Sequence, residues 1–219
     1  MKIFLGDTRG KGVAFLQVQG WGRMFARDRA IGPLYPFERW AFDNGAYEAW
    51  TKGLPFPETV FLKRLDSALK INSDPTIAVV PDKVARGIES LEFSLRWLER
   101  LPRFWPWYLA VQDDMTHSAV LKVAHLFSGI FLGGTDDFKL TAYGWCRLAH
   151  SCDKPFHYGR AGTLRKVRHA WNIDSDSIDS NFPLWTKKRM ITLRDELAAL
   201  ERNESGRMPY AERNSVCCE

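Results

Sequence analysis

The chain has 219 residues, 45% of them hydrophobic, which is enough for one full domain with a substantial core. No stretch approaches the roughly 18 consecutive apolar residues of a membrane span. The Met1-Lys2-Ile3-Phe4-Leu5 start runs into Gly6-Asp7-Thr8-Arg9 without a signal-peptide cleavage pattern, so a cytoplasmic protein is expected. A net charge of +5 and a pI near 9.1 suit acidic partners without identifying one.

In chain order, apolar runs of strand length fall at residues 2–5, 13–18, 39–42, 76–80, 107–111, 129–132, 155–158 and 177–179. Segments with helical spacing lie between the later ones, at 57–71, 88–101, 118–126, 141–151 and 163–171. Alternation of strand and helix implies parallel pairing through right-handed crossovers, and eight strand candidates predict a compact α/β barrel of the (β/α)8 type. Such a barrel usually takes about 250 residues, and the first 45 residues offer three strand candidates without a helix, so an irregular N-terminal part is expected. An open doubly wound sheet is the alternative, but Gly6-Asp7-Thr8-Arg9-Gly10-Lys11-Gly12 has neither Walker nor dinucleotide spacing. Residues 183–200 read as a closing helix, with Met190, Leu193, Leu197 and Leu200 on one face. One domain over 1–200 and a polar, breaker-rich tail over 201–219, expected to be mobile, complete the division.

Five apolar segments end in a polar or glycine signature: Phe42-Asp43-Asn44-Gly45, Val80-Pro81-Asp82, Val111-Gln112, Leu132-Gly133-Gly134 and Ser177-Ile178-Asp179. A parallel barrel builds an active site in this way, because the carboxyl ends of its strands deliver side chains to one rim. Each residue has a plainer reading. Asp43 alone is an Asx-turn residue, Asp82 a cap for a helix beginning near Arg86, Gln112 a surface glutamine and Gly133-Gly134 a turn. The run Asp174-Ser175-Asp176-Ser177-Ile178-Asp179 places three acids in six residues, and crowded carboxylates raise one another's pKa. Cys146, Cys152, Cys217 and Cys218 match no disulfide framework or zinc finger and read as free thiols. A metal site of Cys146 and Cys152 with His150 or His157 is the weaker alternative, since cysteines at i and i+6 on a helix are poor ligand geometry. Lys154, Arg160, Arg165, Lys166, Arg168 and His169 crowd one stretch, with Lys187, Lys188 and Arg189 soon after. They form a phosphate-binding face or an ordinary solvated helix face.

The order of the motifs resembles the queuine/archaeosine tRNA-guanine transglycosylase superfamily, and more closely its short phage and bacterial members that place 7-deazaguanines in DNA. The resemblance rests on Phe42-Asp43-Asn44-Gly45-Ala46-Tyr47, Val80-Pro81-Asp82, Ala110-Val111-Gln112, Phe131-Leu132-Gly133-Gly134, His157-Tyr158-Gly159-Arg160 and Asp176-Ser177-Ile178-Asp179-Ser180, across residues 38 to 182. It implies a TIM barrel that exchanges guanine for a 7-deazaguanine base through a covalent glycosyl-aspartyl intermediate.

By that resemblance Asp179 is the nucleophile and Asp43 the general acid/base, standing in a signature that reads Asp-Asn-Gly-Ala-Tyr where the family has Asp-Ser-Gly-Gly-Phe. Asp82 receives the two donors of the guanine edge, and Gln112, Gly133 and Gly134 bind the O6 acceptor. Asn44 and His157 join the substrate-binding set. Arg160 fits a phosphate contact, and Arg165, Lys166 and Lys139 are assigned with it to the nucleic acid. The implied partners are DNA, single-stranded or locally opened, and a free 7-deazaguanine base, with no cofactor and no metal. The family's zinc motif of three cysteines and a histidine has no counterpart in residues 181–200, which favours DNA over tRNA. The alternatives are an enzyme acting on RNA or a nucleoside, and a non-catalytic nucleic-acid-binding barrel. An unused cluster of buried acids is costly to keep, which argues against the last.

Overall fold

The computed structural model describes residues 1–6, 8–26 and 31–204. Eight parallel strands close into a barrel in sequence order: β1 (Lys2–Gly6), β2 (Gly22–Phe25), β3 (Trp40–Phe42), β4 (Ile77–Val79), β5 (Trp107–Val111), β6 (Gly129–Leu132), β7 (Phe156–Tyr158) and β8 (Ser177–Ser180), with β8 pairing back onto β1. Around them run α1 (Lys11–Gln19), α2 (Ala46–Thr51), α3 (Glu58–Ala68), α4 (Gly87–Leu98), α5 (His117–Val123), α6 (Ala142–Ser151), α7 (Leu164–Asn172) and α8 (Lys187–Glu204). The expected (β/α)8-type barrel is present. It fits a shorter chain because its strands are only three to five residues long.

Local chemistry sets the helices. Thr116 and Thr163 are extended N-caps whose hydroxyls accept the Ala119 and Lys166 amides at 3.2 and 3.3 Å, satisfying donors that the first helical turn leaves unpaired. On α4, Gly87, Ser90, Leu91, Ser94 and Trp97 are buried, a stripe at steps of three and four that faces the barrel. Between barrel and helices lies an aromatic layer in which Trp40, Phe42, Phe61, Trp97 and Trp105 meet mostly edge to face.

Three expectations are corrected. Residues 13–18 are not a strand but the body of α1, since Leu16 is buried while Ala14, Gln17 and Val18 face solvent, a helical and not an alternating pattern. The strand between β1 and β3 is β2, hidden in the sequence by Arg23. That side chain is 1% exposed, and its Nε donates to Glu38 Oε1 at 2.6 Å and its Nη1 and Nη2 to the Thr8 and Pro33 carbonyls. A buried charge is tolerable only with such a complete set of partners, and this set ties the non-regular segment 31–39 onto the barrel. The N-terminal part therefore opens with a regular β1-α1-β2 unit, and the expected irregularity is confined, among the described residues, to the stretch between β2 and β3. At the other end, a 3-10 turn (Phe182–Trp185) precedes α8, which begins at Lys187 and runs through Glu204. Met190, Leu193 and Leu197 are buried on its inner face, as the spacing predicts. Residues 201–204 continue the helix, and the rest of the expected mobile tail lies outside the described residues, with Cys217 and Cys218.

The lumen is filled from alternate strand positions: Phe4, Met24, Ala41, Ile77, Val79, Tyr108, Ala110 and Phe131 form one apolar cluster. On β7 and β8 the inward positions are instead polar, occupied by His157, Ser177 and Asp179. Among the described residues no helix is long and apolar enough to cross a membrane.

Candidate active site

Every signature picked out at a strand end lies at the carboxyl-terminal mouth of the barrel, and the side chains of Asp43, Asn44, Asp82, Gln112 and Asp179 line one cavity there with Gly133, Gly134, Tyr47 and Arg160. Asp43 follows the last residue of β3. Its carboxylate accepts the Gly45 amide at 3.2 Å, so the Asx-turn is real, and buried Arg64 on α3 holds its carbonyl at 3.0 Å. Asn44, 2% exposed, points across to β4 and donates to Val80 O at 2.7 Å and to Asp82 Oδ1 at 2.6 Å.

Asp82 is 3% exposed and turned into this mouth, whereas the N-cap position of α4 is Arg86 and has no side-chain cap, so capping is not the role of Asp82. Gln112 donates its amide to Asp82 Oδ2 and accepts the Gly134 amide at 2.8 Å and the Ala85 amide at 3.2 Å. Both glycines of the β6 ending are needed sterically. A Cβ on Gly133 would strike the Gln112 amide, and Gly134 has φ 69° with its missing Cβ directed at the Phe138 ring and the Asp113 carboxylate.

Asp179 is an inward residue of β8 whose Oδ1 accepts two donors, His157 Nε2 at 3.1 Å and the Arg160 backbone amide at 2.8 Å. Among the described residues no donor reaches Oδ2. Arg160 has φ 55°, a conformation uncommon outside glycine. Its guanidinium lies 3.7 Å from the centre of the Tyr47 ring and donates to the Gly134 carbonyl, so it roofs the cavity. The space beneath is about 40 Å³, room for a few waters at most.

The three carboxyls titrate apart. Burial pushes Asp82 up to about 7, with neighbouring Asp43 adding to the rise against the hydrogen bonds of Asn44 and Gln112. Asp43 is raised by loss of hydration and by the charge of Asp179. Burial would raise Asp179 too, but the His157 hydrogen bond and charge, the Arg160 amide and Lys139 outweigh it and hold the carboxyl below the usual range. The crowding expected along residues 174–179 is thus misplaced. Asp176 sits at the opposite end of β8, bonded to His150, and the acids that raise one another belong to three different strand ends. No family model and no curated protein matches the chain.

The other expected residues are distributed as follows. Arg165 is exposed on α7, and Lys166 beside it pairs with Asp136 at 2.7 Å. Lys139 is not presented to a polymer. It is 1% exposed, and its ammonium donates inward to the Leu132 and Gly133 carbonyls at 3.0 and 3.1 Å. His157 does not line the cavity, being fully buried with both ring nitrogens engaged. Cys146 is a packed thiol, its Sγ 3.1 Å from the Ile173 carbonyl and its pKa pushed up to about 12 by burial. Two residues stood in the quoted motifs but were given no role by the sequence. Tyr47 needed α2, too short to recognise, to turn its ring over the mouth, and Ser177 stands two positions before Asp179, where alternation places it on the same inner face. A larger cavity of about 660 Å³ at the other end of the barrel is lined mainly by Leu95, Leu98, Leu101, Trp105, Trp107 and Leu126. It has none of these convergent acids and amides, so size does not mark the site.

Proposed function

We propose that this protein is a guanine transglycosylase acting on DNA, as its resemblance to the queuine/archaeosine tRNA-guanine transglycosylase superfamily implies. One observation carries the reading: three carboxyls at one barrel mouth are divided into an anchored anion, a carboxyl with a raised pKa and an acid ringed by amide groups. Environments that push titratable groups apart assign them different chemical roles.

In this mechanism Asp179 Oδ2 attacks C1′ of a deoxyguanosine as the C1′–N9 bond breaks, and Asp43, whose pKa is raised by burial and by the Asp179 charge, supplies in its acid form the proton that guanine takes on leaving. A 7-deazaguanine base then enters, gives its N9 proton to the Asp43 carboxylate and attacks C1′. The ester bond to Asp179 breaks, and the carboxylate is regenerated with net retention. Asp82 as an anion accepts from N1–H and the exocyclic amine. Gln112 and the Gly134 amide, which now satisfy each other, turn to the purine oxygen. The cavity must widen to admit a purine, and release of Arg160 from Tyr47 is the movement that opens it and frees a cation for phosphate.

The test is to mix the full chain with guanine-containing DNA and a 7-deazaguanine base, trap the covalent adduct and analyse the nucleosides by mass spectrometry. The same assay on tRNA and free nucleosides separates the runner-up substrates. Absence of adduct and exchange on every polymer would leave a binding protein.

A further inference from the structure

Lumen positions of a small barrel are ordinarily filled by apolar side chains, yet β7 and β8 place a histidine and a serine immediately beneath Asp179. The register pairs His157 with Ser177 across β7 and β8 and with Phe131 across β6 and β7. Ser177 and Asp179 are inward neighbours on one strand, about 6.6 Å apart by the rise of two residues, and the imidazole spans the gap between them. Its Nδ1 lies 2.8 Å from Ser177 Oγ and its Nε2 3.1 Å from Asp179 Oδ1. The ring is fully buried, stacked on Phe131 at 4.6 Å and 15° and flanked by Phe4 at 6.1 Å. Ser177 is 3% exposed. The ring has no freedom to turn and no face or nitrogen left for a ligand.

Hydrogen-bond logic orders this chain. An ionised Asp179 can only accept, so Nε2 carries the proton, and the Ser177 hydroxyl meets Nδ1 as donor to a neutral ring or acceptor from a charged one. We propose that Ser177 and His157 form a buried positioning relay for Asp179: the serine fixes the ring, and the histidine with the Arg160 amide anchors Oδ1, leaving Oδ2 as the attacking oxygen. The use of that oxygen rests on the transglycosylase reading; the relay itself is a statement about how Asp179 is held. His157 is accordingly a positioning residue and not part of the base-binding surface. The charged and titratable groups facing Asp179 are His157 from β7, Arg160 just after it, Lys139 behind β6 and Asp43 at the end of β3.

The experiment uses the full chain with His157→Phe, His157→Gln and Ser177→Ala. It follows the Asp179 carboxyl by carbon NMR titration and, separately, the rate of base exchange. Phenylalanine keeps the stacking but removes the donor, so the Asp179 titration should move up by about one to two pH units, the equivalent of one lost charged hydrogen bond, and exchange should slow. Glutamine, whose amide can donate to Oδ1, should restore most of the shift, and Ser177→Ala should move both in the same direction by less. A wild-type protein that exchanges bases while these variants titrate as it does overturns the relay. A titration that moves as described in a protein that exchanges no base supports the relay and removes only the transglycosylase reading.

Discussion

Two aspartate–histidine pairs flank the barrel along β8, one at Asp176 just before the strand and one at Asp179 within it, and the two behave differently. Asp176 at the amino-terminal end meets His150 at 2.9 Å and also accepts the Phe156 amide at 2.7 Å, with its side chain 44% exposed. Asp179, three residues on, meets His157 at 3.1 Å with its side chain 14% exposed and the histidine fully buried. Both carboxyls are held below the usual range. The outer pair does so half in solvent, with Asp174 adding a little to the rise of His150, and reads as a clip joining α6, β7 and β8. The inner pair does so against the burial and negative charge that raise Asp43 and Asp82 nearby. The same two residue types make a strut at one end of the barrel and a poised anion at the other, and the difference is solvent and company.

The contrast breaks most sharply under amide substitution. Asp179→Asn should lower base exchange by roughly 10⁴-fold or more, as loss of a nucleophile does, and abolish the trapped adduct while circular dichroism and DNA affinity stay near wild type. Asp176→Asn should exchange within a few-fold of wild type. The reverse outcome would transfer the chemistry to Asp176 and undo the comparison.

Within the mouth, Asp82→Ala should cost use of the guanine base about 2–3 kcal/mol, the size of lost charged hydrogen bonds, and relax the preference over hypoxanthine, which lacks the exocyclic amine. In the wild type the accepting form of Asp82 is the anion, so base affinity should rise as pH increases through about 7. Unchanged discrimination in the alanine variant, measured by competition between the two bases, would assign recognition elsewhere.

Outside the mouth, neutral replacements of Arg160, Arg165 and Lys166 should weaken DNA binding alike on all sequences. Each phosphate contact removed should lower the slope of log K against log salt by roughly 0.9 on duplex and less on single strands. Because Lys166 is held by Asp136 whereas Arg160 is released as the mouth opens, Arg165 and Arg160 should account for most of the slope. A slope unaltered in the triple variant would make this face ordinary solvated surface.

The smallest effect belongs to the outer pair. Asp176→Asn should lower stability by at most about 1 kcal/mol, as exposed pairs do. His150 is raised above 6.5, chiefly by its hydrogen bond to Asp176; its contribution is complete below 6.5 and lost as pH climbs through its folded-state pKa. Asp176 is lowered below 3.8: burial would raise it, but the His150 and Phe156 hydrogen bonds and the His150 charge together outweigh that; its contribution is complete above 3.8 and lost as pH falls through its folded-state pKa. The difference between variant and wild type should therefore be greatest between about pH 4 and 6.5, measured by urea denaturation across that range.

Seven of the eight strands, and the rim to which Asp43, Asp82, Gln112, Gly133, Gly134 and Asp179 would be delivered, were legible in the sequence. Apolar runs of strand length alternating with helical stripes admit few topologies, and in a parallel barrel strand ends share one face. What the sequence hid was wherever a distant partner overrides a local pattern. Arg23 makes β2 look unlike a strand until Glu38 neutralises it. Lys139 looks like surface charge until the carbonyls of β6 take it inward. The run from Asp174 to Asp179 looks like one acidic cluster, although β8 separates its members to opposite ends of the barrel.

Seven of the strands, their parallel order and the identity of the mouth residues follow from periodicity, because alternation and spacing are properties of the chain itself. Which carboxyl is pushed up, which is held down and which histidine stands behind Asp179 are decided only in the folded molecule, because ionisation depends on lost hydration and on charges and donors brought in from other strands.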